Sequence, residues 1–494
     1  MSVSLLAPLP AAQWDAAAAA HLLNRAGFSG SPADVRRLQA RGVDGAVDHL
    51  LDFSTARVPF SEPEWAKPDP RRAEKLKKAR TATEEERRQM RREAQQQHRA
   101  HLLELHYTWL QRMHSDGAPL QEKLALFWHG HFATSAQKVK DAGLMCRQND
   151  LFRRNAAGHW PAMLDAVTQD PAMLLYLDQA ESKPGHPNEN YARELMELFS
   201  LGEGHYSEQD VTEAARALTG LTYDRLNQVA VHRRRLRDPK PKTLFGETGD
   251  YDEKDVIRLI TRQPSAAPFI TSKVWTYFAG TEPTPELAGA LTATFRQSGQ
   301  QFAPFLRVLF RSAAFHRPEV RRQQIKSPVE LLVDACRQLE RELPPPLVCH
   351  NLLRLLGQEL FNPPNVKGWD GGLAWINTNT LLSRHNLALL LTTGENSLPG
   401  GGPGKGVNAA RAARERLRHR SAGAADVARL FTADDRKSPE NLIRSLEQRL
   451  FQTRVNPKDR AALVDYLRSR GEWEDHDLRG VLRLAMCTSD YQLT

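Results

Sequence analysis

The sequence predicts a predominantly α-helical fold, a multi-helix array that carries one small β-hairpin insertion near 221–250. Apolar residues recur every three or four positions along most of the chain, which is the spacing of a single buried helix face. Capping residues and glycine stops bracket many of these segments. Only 221–250 departs from this pattern, because QVAVHRRRL alternates like a strand and DPKPKTLFGETGD then supplies proline and glycine turn residues.

The helices follow in order from local start and stop signals. Ser31 and Pro32 supply an N-cap and a first-turn proline, and Gly42 marks the break between two short helices. Pro119 precedes another helix start. The later helices are predicted over 84–113, 120–128, 159–180, 188–201, 207–219, 254–262, 266–279, 285–296, 302–312, 327–341 and 348–357, with a further helical run beginning at Arg384 after Ser383.

Three units are predicted along the 494 residues. Residues 1–394 form the main helical body, which includes a basic helical insertion over about 65–100. Residues 395–406, ENSLPGGGPGKG, form a Gly/Pro linker, because glycines leave a backbone flexible. Residues 407–494 form a C-terminal helical subdomain.

The charge distribution favours neither a nucleic-acid nor a membrane partner. The chain is basic, with 68 Lys and Arg against 59 Asp and Glu, and 71–100 holds eleven basic and five acidic residues. That segment has no aromatic residue on which a base could stack, and its acidic residues lie at helical spacing from its arginines, as in a solvated helix. No apolar run approaches the ~20 residues of a membrane-spanning helix.

The cysteines and the first residues of the chain indicate a reducing compartment. Cys146, Cys336, Cys349 and Cys487 are scattered without any CxxC pair, which predicts reduced and mostly buried thiols. The start, MSVSLLAPLPAAQWD, lacks the basic region and sustained apolar core of a signal peptide. We therefore expect a cytoplasmic protein.

The segment 186–220 carries the densest set of polar side chains. On a helix, Glu194 and Glu197 share one stripe, and carboxylates so placed can divide into a proton donor and a base. Glu189 is assigned with them to catalysis. Four neighbours are expected to bind substrate in the same cleft: Asn190, Arg193, His205 and Asp210. The alternative is an amphipathic surface helix with an Arg193–Glu197 ion pair.

The segment LFWHGHFATS, 126–135, contains two histidines separated by one residue. His129 and His131 share a face only if the segment is extended, where they could polarise a substrate or bind a metal. The alternative is a helix end at which both rings are hydrogen-bonded under aromatic cover. Local spacing supplies no third ligand, so the metal and any cofactor stay unassigned.

The segment 357–386 is a turn-rich loop that contains two tryptophans. Aromatic faces beside amide side chains are the kind of surface on which sugar rings stack and form hydrogen bonds. We expect Gln358, Asn365, Trp369 and Trp375 to bind substrate, with Trp369 as the platform. The alternative is a loop folded back and held by its own tryptophans.

These segments resemble one bacterial family, the proteins with domain of unknown function 1800. The resemblance rests on seven segments in order: HLLNRAGF (21–28), EKLALFWHGHFATS (122–135), NENYARELMELFSLGEGHYSEQDVTEAARALTG (188–220), KTLFG (242–246), PFITSKVWTYF (268–278), GQELFNPPNVKGW (357–369) and SDYQL (489–493).

The resemblance implies a mostly helical fold and no settled activity. It also implies proteins that are often exported and encoded beside a partner resembling the alkaline-phosphatase-like family. This chain shows no export signal. It carries Arg237-Asp238 where relatives tend to have His-Asp, so no metal role is carried over to that position.

We interpret the chain as an enzyme, because titratable groups concentrated in three segments of otherwise helical sequence indicate a site. The expected activity is that of a hydrolase or transferase acting on a carbohydrate-like or other polyhydroxylated polymer by carboxylate acid/base chemistry, assisted by histidine or a metal. Two alternatives stay open, a non-catalytic partner or scaffold protein and a histidine-bound metal or haem redox protein.

Overall fold

The computed structural model describes residues 5–55, 61–115, 117–395 and 423–494. The fold is 62% helical, with 23 α-helices among the described residues. They are α1 Ala16–Ala26, α2 Pro32–Gln39, α3 Gly42–Leu51, α4 Arg72–Thr81, α5 Glu84–His114, α6 Pro119–His131, α7 Ala136–Val139, α8 Ala142–Arg154, α9 Trp160–Thr168, α10 Pro171–Tyr176, α11 Glu189–Glu197, α12 Glu208–Ala217, α13 Glu253–Arg262, α14 Ala266–Ala279, α15 Pro285–Gln297, α16 Phe302–Arg311, α17 Pro328–Gln338, α18 Pro346–Leu356, α19 Thr378–Thr393, α20 Val427–Leu430, α21 Pro439–Leu446, α22 Pro457–Arg468 and α23 Asp475–Met486.

Capping explains where many of these helices begin. Ser31 begins α2 and Ser207 begins α12 in reciprocal capping boxes, in which the side chain at the third helical position bonds back to the cap. The predicted helix over 159–180 is two helices, because Asp170 caps a new start at Pro171. The run expected from Arg384 begins earlier, at Thr378, because the Asn377 side chain accepts hydrogen bonds from the first turn.

The predicted hairpin region contains two short antiparallel hairpins. Strands β1 Leu221–Asp224 and β2 Val229–His232 pair with Leu221 opposite His232. Strands β3 Lys242–Leu244 and β4 Glu247–Gly249 pair with Lys242 opposite Gly249. The mainly helical fold with a small hairpin insertion is therefore confirmed.

The basic insertion is helical and exposed to solvent. Helix α4 buries no residue, and α5 buries residues only in its C-terminal half, from Leu105 to Met113. Arg91 forms an ion pair with Glu84 at 2.7 Å on the exposed half. The excess positive charge of this segment therefore faces solvent.

One continuous apolar core joins the main body to the described part of the C-terminal region. The Tyr491 hydroxyl donates to Gln338 Oε1 at 2.9 Å, and Arg449 Nη1 forms an ion pair with Glu340 Oε1 at 2.7 Å. Of the linker predicted over 395–406 only Glu395 is among the described residues, and the predicted subdomain is described from residue 423 onward.

The cysteines are not joined in disulfides. Cys146, Cys336 and Cys349 are buried and free, and Cys487 is half-buried and free, as the scattered spacing predicted. Within the described ranges, no helix has the length and apolar character needed to cross a membrane.

Candidate functional site

Two of the three polar segments are joined by hydrogen bonds that involve both main-chain and side-chain atoms. The Phe361 N–H donates to Nε2 of His129 at 3.0 Å, and the Ala136 N–H donates to the Phe361 carbonyl at 2.8 Å. The Ser135 hydroxyl donates to Asn362 Oδ1 at 3.0 Å. The turn-rich loop is therefore held against the end of α6.

A close backbone approach completes this junction. Gly368 has φ +84°, in the left-handed region that glycine tolerates best. A Cβ atom at this position would overlap the carbonyl oxygen of Gly130 in α6. The absence of a side chain at Gly368 thus lets the loop lie directly on the helix, and it places Trp369 next to the His129 ring, at a centroid distance of 5.6 Å.

The third polar segment contacts α6 and α14 through the turn that follows α11. Nε2 of His131 bonds to the Phe199 carbonyl at 3.0 Å, and Nζ of Lys273, on α14, donates to the preceding carbonyl, that of Leu198, at 3.1 Å. A carbonyl oxygen only accepts, so Nε2 of His131 carries the ring proton. Nδ1 of His131 is buried and has no hydrogen-bond partner among the residues that the structure describes.

These contacts surround a cleft of about 1250 Å³, which we call the Trp369 cleft. Its aromatic lining consists of Phe127, Phe269, Tyr277, Trp369 and Trp375. Its cationic and imidazole groups are Lys273, Lys367, His131 and His205. Its carboxylates are Glu203, Glu282, Glu330 and Asp370, and the amide of Gln358 also lines it. Large, mainly apolar clefts with a few polar groups are the usual form of ligand sites.

Burial sets the charge states inside the Trp369 cleft. It lowers the pKa of Lys273 to about 8, and the ammonium lies 4.5 Å from the centre of the Phe269 ring. Burial, and then the positive charge of Lys273, lower the pKa of His131 well below its usual value. Behind the cleft wall, burial lowers the pKa of His129 to about 3. Both histidines are therefore neutral at pH 7.

A family model described as "Protein of unknown function (DUF1800)" matches residues 21–493, nearly the whole chain. The chain belongs to the DUF1800 family. No curated protein and no solved structure matches it.

Five of the residues predicted for the site line the Trp369 cleft of this DUF1800 chain: His131, His205, Gln358, Trp369 and Trp375. Gln358 is also structural, because its Oε1 accepts from the Val329 N–H at the start of α17, at 3.0 Å. His205 is exposed, whereas Trp375 is buried. The structure thus brings residues of all three segments to one surface.

The two histidines of the DUF1800 chain point to different sides of α6. Because the segment is helical through His131, positions two apart lie on different faces. The His129 ring contacts Trp109 and Phe361, whereas the His131 ring contacts Phe199 and Phe269. This is the hydrogen-bonded helix end that the sequence offered as an alternative. Among the described residues, no group of three or more His, Cys, Asp or Glu side chains is arranged to hold a metal ion.

The acidic segment lies beside the cleft. Eight predicted site residues are not among those that line it: His129, Glu189, Asn190, Arg193, Glu194, Glu197, Asp210 and Asn365. Partial burial raises the pKa of Glu194, and the neighbouring Glu197 carboxylate adds to that rise. The positive charge of Lys367, which lines the cleft, lowers the pKa of Glu194. Glu197 accepts from the Tyr206 hydroxyl at 2.8 Å. The carboxylate pair is therefore electrostatically linked to the cleft through Lys367.

Several of the remaining candidates have partners of their own. Arg193 pairs with Glu208 through two bonds of 2.7 and 2.6 Å, so the Arg193–Glu197 pair offered as an alternative is replaced by this one. Glu208 is the first residue of α12, so this ion pair joins α11 to α12. Asn190 is exposed, and Glu189 accepts from the Thr212 hydroxyl at 2.9 Å.

Asp210 and Asn365 stabilise turns. Asp210 closes the capping box of α12 and also accepts from the Phe245 N–H at 2.7 Å. Asn365 Oδ1 accepts from the Lys367 N–H at 2.9 Å, within the turn that leads to Gly368. Asn365 therefore stabilises the turn next to the cleft residue Lys367, whereas Asp210 joins the start of α12 to the β3–β4 hairpin.

Lys273 was not predicted as a site residue. It lies in PFITSKVWTYF, where it is the single charged side chain in an otherwise mainly apolar helix. A lysine in such a stretch is a usable signal, because a charged group is rarely placed near a core without a partner. Its partner, the Leu198 carbonyl, lies 75 residues away in sequence, so spacing alone does not reveal it.

Proposed function

We propose that this chain is a hydrolase or transferase that acts on a carbohydrate-like or other polyhydroxylated polymer bound in the Trp369 cleft. The observation that carries the proposal is the pairing of Trp369 and Trp375 with polar side chains in one cleft of about 1250 Å³. Indole faces pack against the apolar faces of sugar rings, while amide, imidazole and ammonium groups bond to hydroxyls.

Glu194 and Glu197 are the proposed acid/base pair. The raised pKa of Glu194, caused by partial burial and then by Glu197, favours a protonated donor beside an ionised neighbour. In glycoside cleavage, such a donor protonates the leaving oxygen while a carboxylate activates water. The polymer would extend from Trp369 past Lys367 to reach Glu194.

Binding is tested separately from chemistry. Soluble polysaccharides and their oligomers are titrated into the full-length protein while tryptophan fluorescence is recorded. We expect Trp369→Ala to weaken binding by about tenfold, which corresponds to about 1.4 kcal/mol for a stacked ring. The matched control is Trp473→Ala, whose ring lies outside the cleft and donates to the Leu467 carbonyl at 2.9 Å. Equal binding by the two variants contradicts the proposal.

The chemistry is tested by Glu194→Gln, which keeps the size and the hydrogen-bonding capacity of the side chain. Release of new reducing ends from a bound polymer is expected to fall by about 10²-fold or more, as for loss of an acid/base group. Binding is expected to stay unchanged. Full activity in this variant removes Glu194 from the mechanism and leaves the cleft as a binding site.

A second candidate function is a partner protein, and a specific surface favours it. Leu373, which lines the cleft, is 81% exposed, and Leu382 and Leu381 in the first turns of α19 are 60% and 38% exposed. Clustered exposed apolar side chains mark protein contact surfaces. The proposed partner is the alkaline-phosphatase-like protein that the family resemblance implies.

Co-purification tests this second function. An alkaline-phosphatase-like protein of the kind that the family resemblance implies is mixed with the wild-type chain and with a Leu373→Ser/Leu382→Ser variant. The mixtures are then analysed by size-exclusion chromatography. We expect a complex with the wild-type chain only. Leu226→Ser, at 47% exposure in the hairpin turn, is the control. A complex that survives the double substitution excludes this surface.

A further inference from the structure

Lys273 has a single observed hydrogen-bond acceptor in the Trp369 cleft. Its Nζ donates to the Leu198 carbonyl at 3.1 Å, and no carboxylate forms an ion pair with it within the described part of the chain. An ammonium group has three donors, so two remain for a ligand. The Phe269 ring covers one side of the group at 4.5 Å, which leaves the cleft as the open side.

The nearby groups do not neutralise this charge. His131 is anchored to the adjacent carbonyl, that of Phe199, and it is neutral. Glu330, at the floor of the cleft, is already paired with Lys123. Glu203, Glu282 and Asp370 are exposed at the rim. A cation therefore lies inside the cleft, while these three carboxylates are exposed to solvent.

We infer that Lys273 is a subsite for a carboxylate of the ligand, and that the polymer is an acidic one built from uronic-acid units. This inference rests on the proposed function, because it concerns the same cleft. A carboxylate beside Lys273 accepts the two free N–H groups in charge-assisted hydrogen bonds, which are stronger than bonds between neutral groups. The sugar ring attached to that carboxylate then lies between Phe269 and Trp369, both of which line the cleft.

The test compares ligands that differ only in charge. Oligomers of galacturonate and of mannuronate, and the methyl esters of both, are titrated into the full-length protein by calorimetry. We expect each acid to bind about tenfold more tightly than its ester, which corresponds to about 1.4 kcal/mol. Lys273→Met should abolish this preference while keeping the affinity for the ester, and Lys273→Arg should keep part of it.

Lys254→Met is the control, because Lys254 is an exposed lysine on α13 that is not among the residues lining the cleft. It should leave the preference intact. Equal binding of acid and ester to the wild-type protein overturns the Lys273 inference, yet Trp369-dependent binding of the ester still supports the proposed function. If neither form binds, the inference fails, and the proposed function is then judged by its own polysaccharide titration.

A chemical probe gives a readout that does not depend on oligomer length. Lysines with lowered pKa react readily with amine reagents. Mass spectrometry follows acetylation of Lys273 in the native chain, with glucuronate or glucose present. Protection by glucuronate but not by glucose is the expected result. Equal protection by the two sugars, or none by either, contradicts a carboxylate subsite.

Discussion

The His129 ring accepts a hydrogen bond from the Phe361 N–H, which lies 232 residues later in the chain. The two rings are also in contact, at a centroid distance of 5.1 Å. Because both groups are buried, the bond satisfies a donor that water does not reach. Together with the Ser135–Asn362 bond and the close approach of Gly368 to Gly130, this bond holds the loop that carries Trp369 against the end of α6.

Removing this acceptor is expected to destabilise the protein. His129→Ala leaves the Phe361 N–H unsatisfied and opens a space under Trp369, so the free energy of unfolding should fall by about 2–4 kcal/mol. Urea denaturation followed by circular dichroism measures the change. His205→Ala, at an exposed position in the same cleft, should cost less than about 0.5 kcal/mol. Equal losses in the two variants contradict the assigned role.

Gly368→Ala is expected to displace the loop. The substitution combines a left-handed backbone position, which costs a residue with a side chain roughly 1–2 kcal/mol, with the overlap against the Gly130 carbonyl. The free energy of unfolding should therefore drop by at least about 2 kcal/mol, and fluorescence of Trp369 should shift to longer wavelength. Gly289→Ala, on the exposed side of α15 with open space around it, should be neutral or stabilising. Unchanged stability and fluorescence for Gly368→Ala exclude this close approach.

Acidification is expected to destabilise the fold through His129. Burial lowers the pKa of His129 to about 3 in the folded state, below its ordinary value of 6.5. The unfolded chain therefore binds more protons between these two values, so stability rises with pH across that window and is lost as pH falls through it.

The contribution of one such histidine is about 1.4 kcal/mol per pH unit within the window. His129→Gln keeps an acceptor for the Phe361 N–H but does not titrate there. Denaturant midpoints measured from pH 4 to pH 7 should therefore vary less steeply for this variant than for the wild-type protein. Identical slopes contradict a lowered pKa of His129 in the folded state.

The buried ion pair at the floor of the cleft is expected to be sensitive to removal of one partner. Lys123 and Glu330 pair with side chains that are 2% and 4% exposed. Lys123→Met removes the direct ion-pair partner of the buried Glu330 carboxylate, which should cost about 3–5 kcal/mol. Lys138→Met breaks an exposed pair with Asp178 and should cost less than about 1 kcal/mol. A double variant Lys123→Met/Glu330→Leu should recover part of the loss, and failure to recover contradicts a charge-based cause.

Local sequence determined the helices, because their signals act within one or two turns. The capping side chain of Ser207 and its partner Asp210 are three residues apart, and the apolar stripe of α12 repeats at the same short range. The strand alternation and turn residues of 221–250 are equally local. By contrast, α8 was not predicted, because its buried face includes the polar residues Gln148 and Asn149, which break the apolar pattern.

Only the tertiary structure decided which polar residues share a surface. The sequence selected His131, Trp369 and Trp375, which do line one cleft, but it placed Glu194 among them although that residue is not part of the lining. It missed Lys273, whose acceptor is a backbone carbonyl 75 residues away. Backbone acceptors carry no residue-specific signal, and contacts at such separations depend on how whole helices pack. Residue type and spacing therefore determined the helices, whereas the packing of α6, α14 and the Gly368 loop determined the cleft.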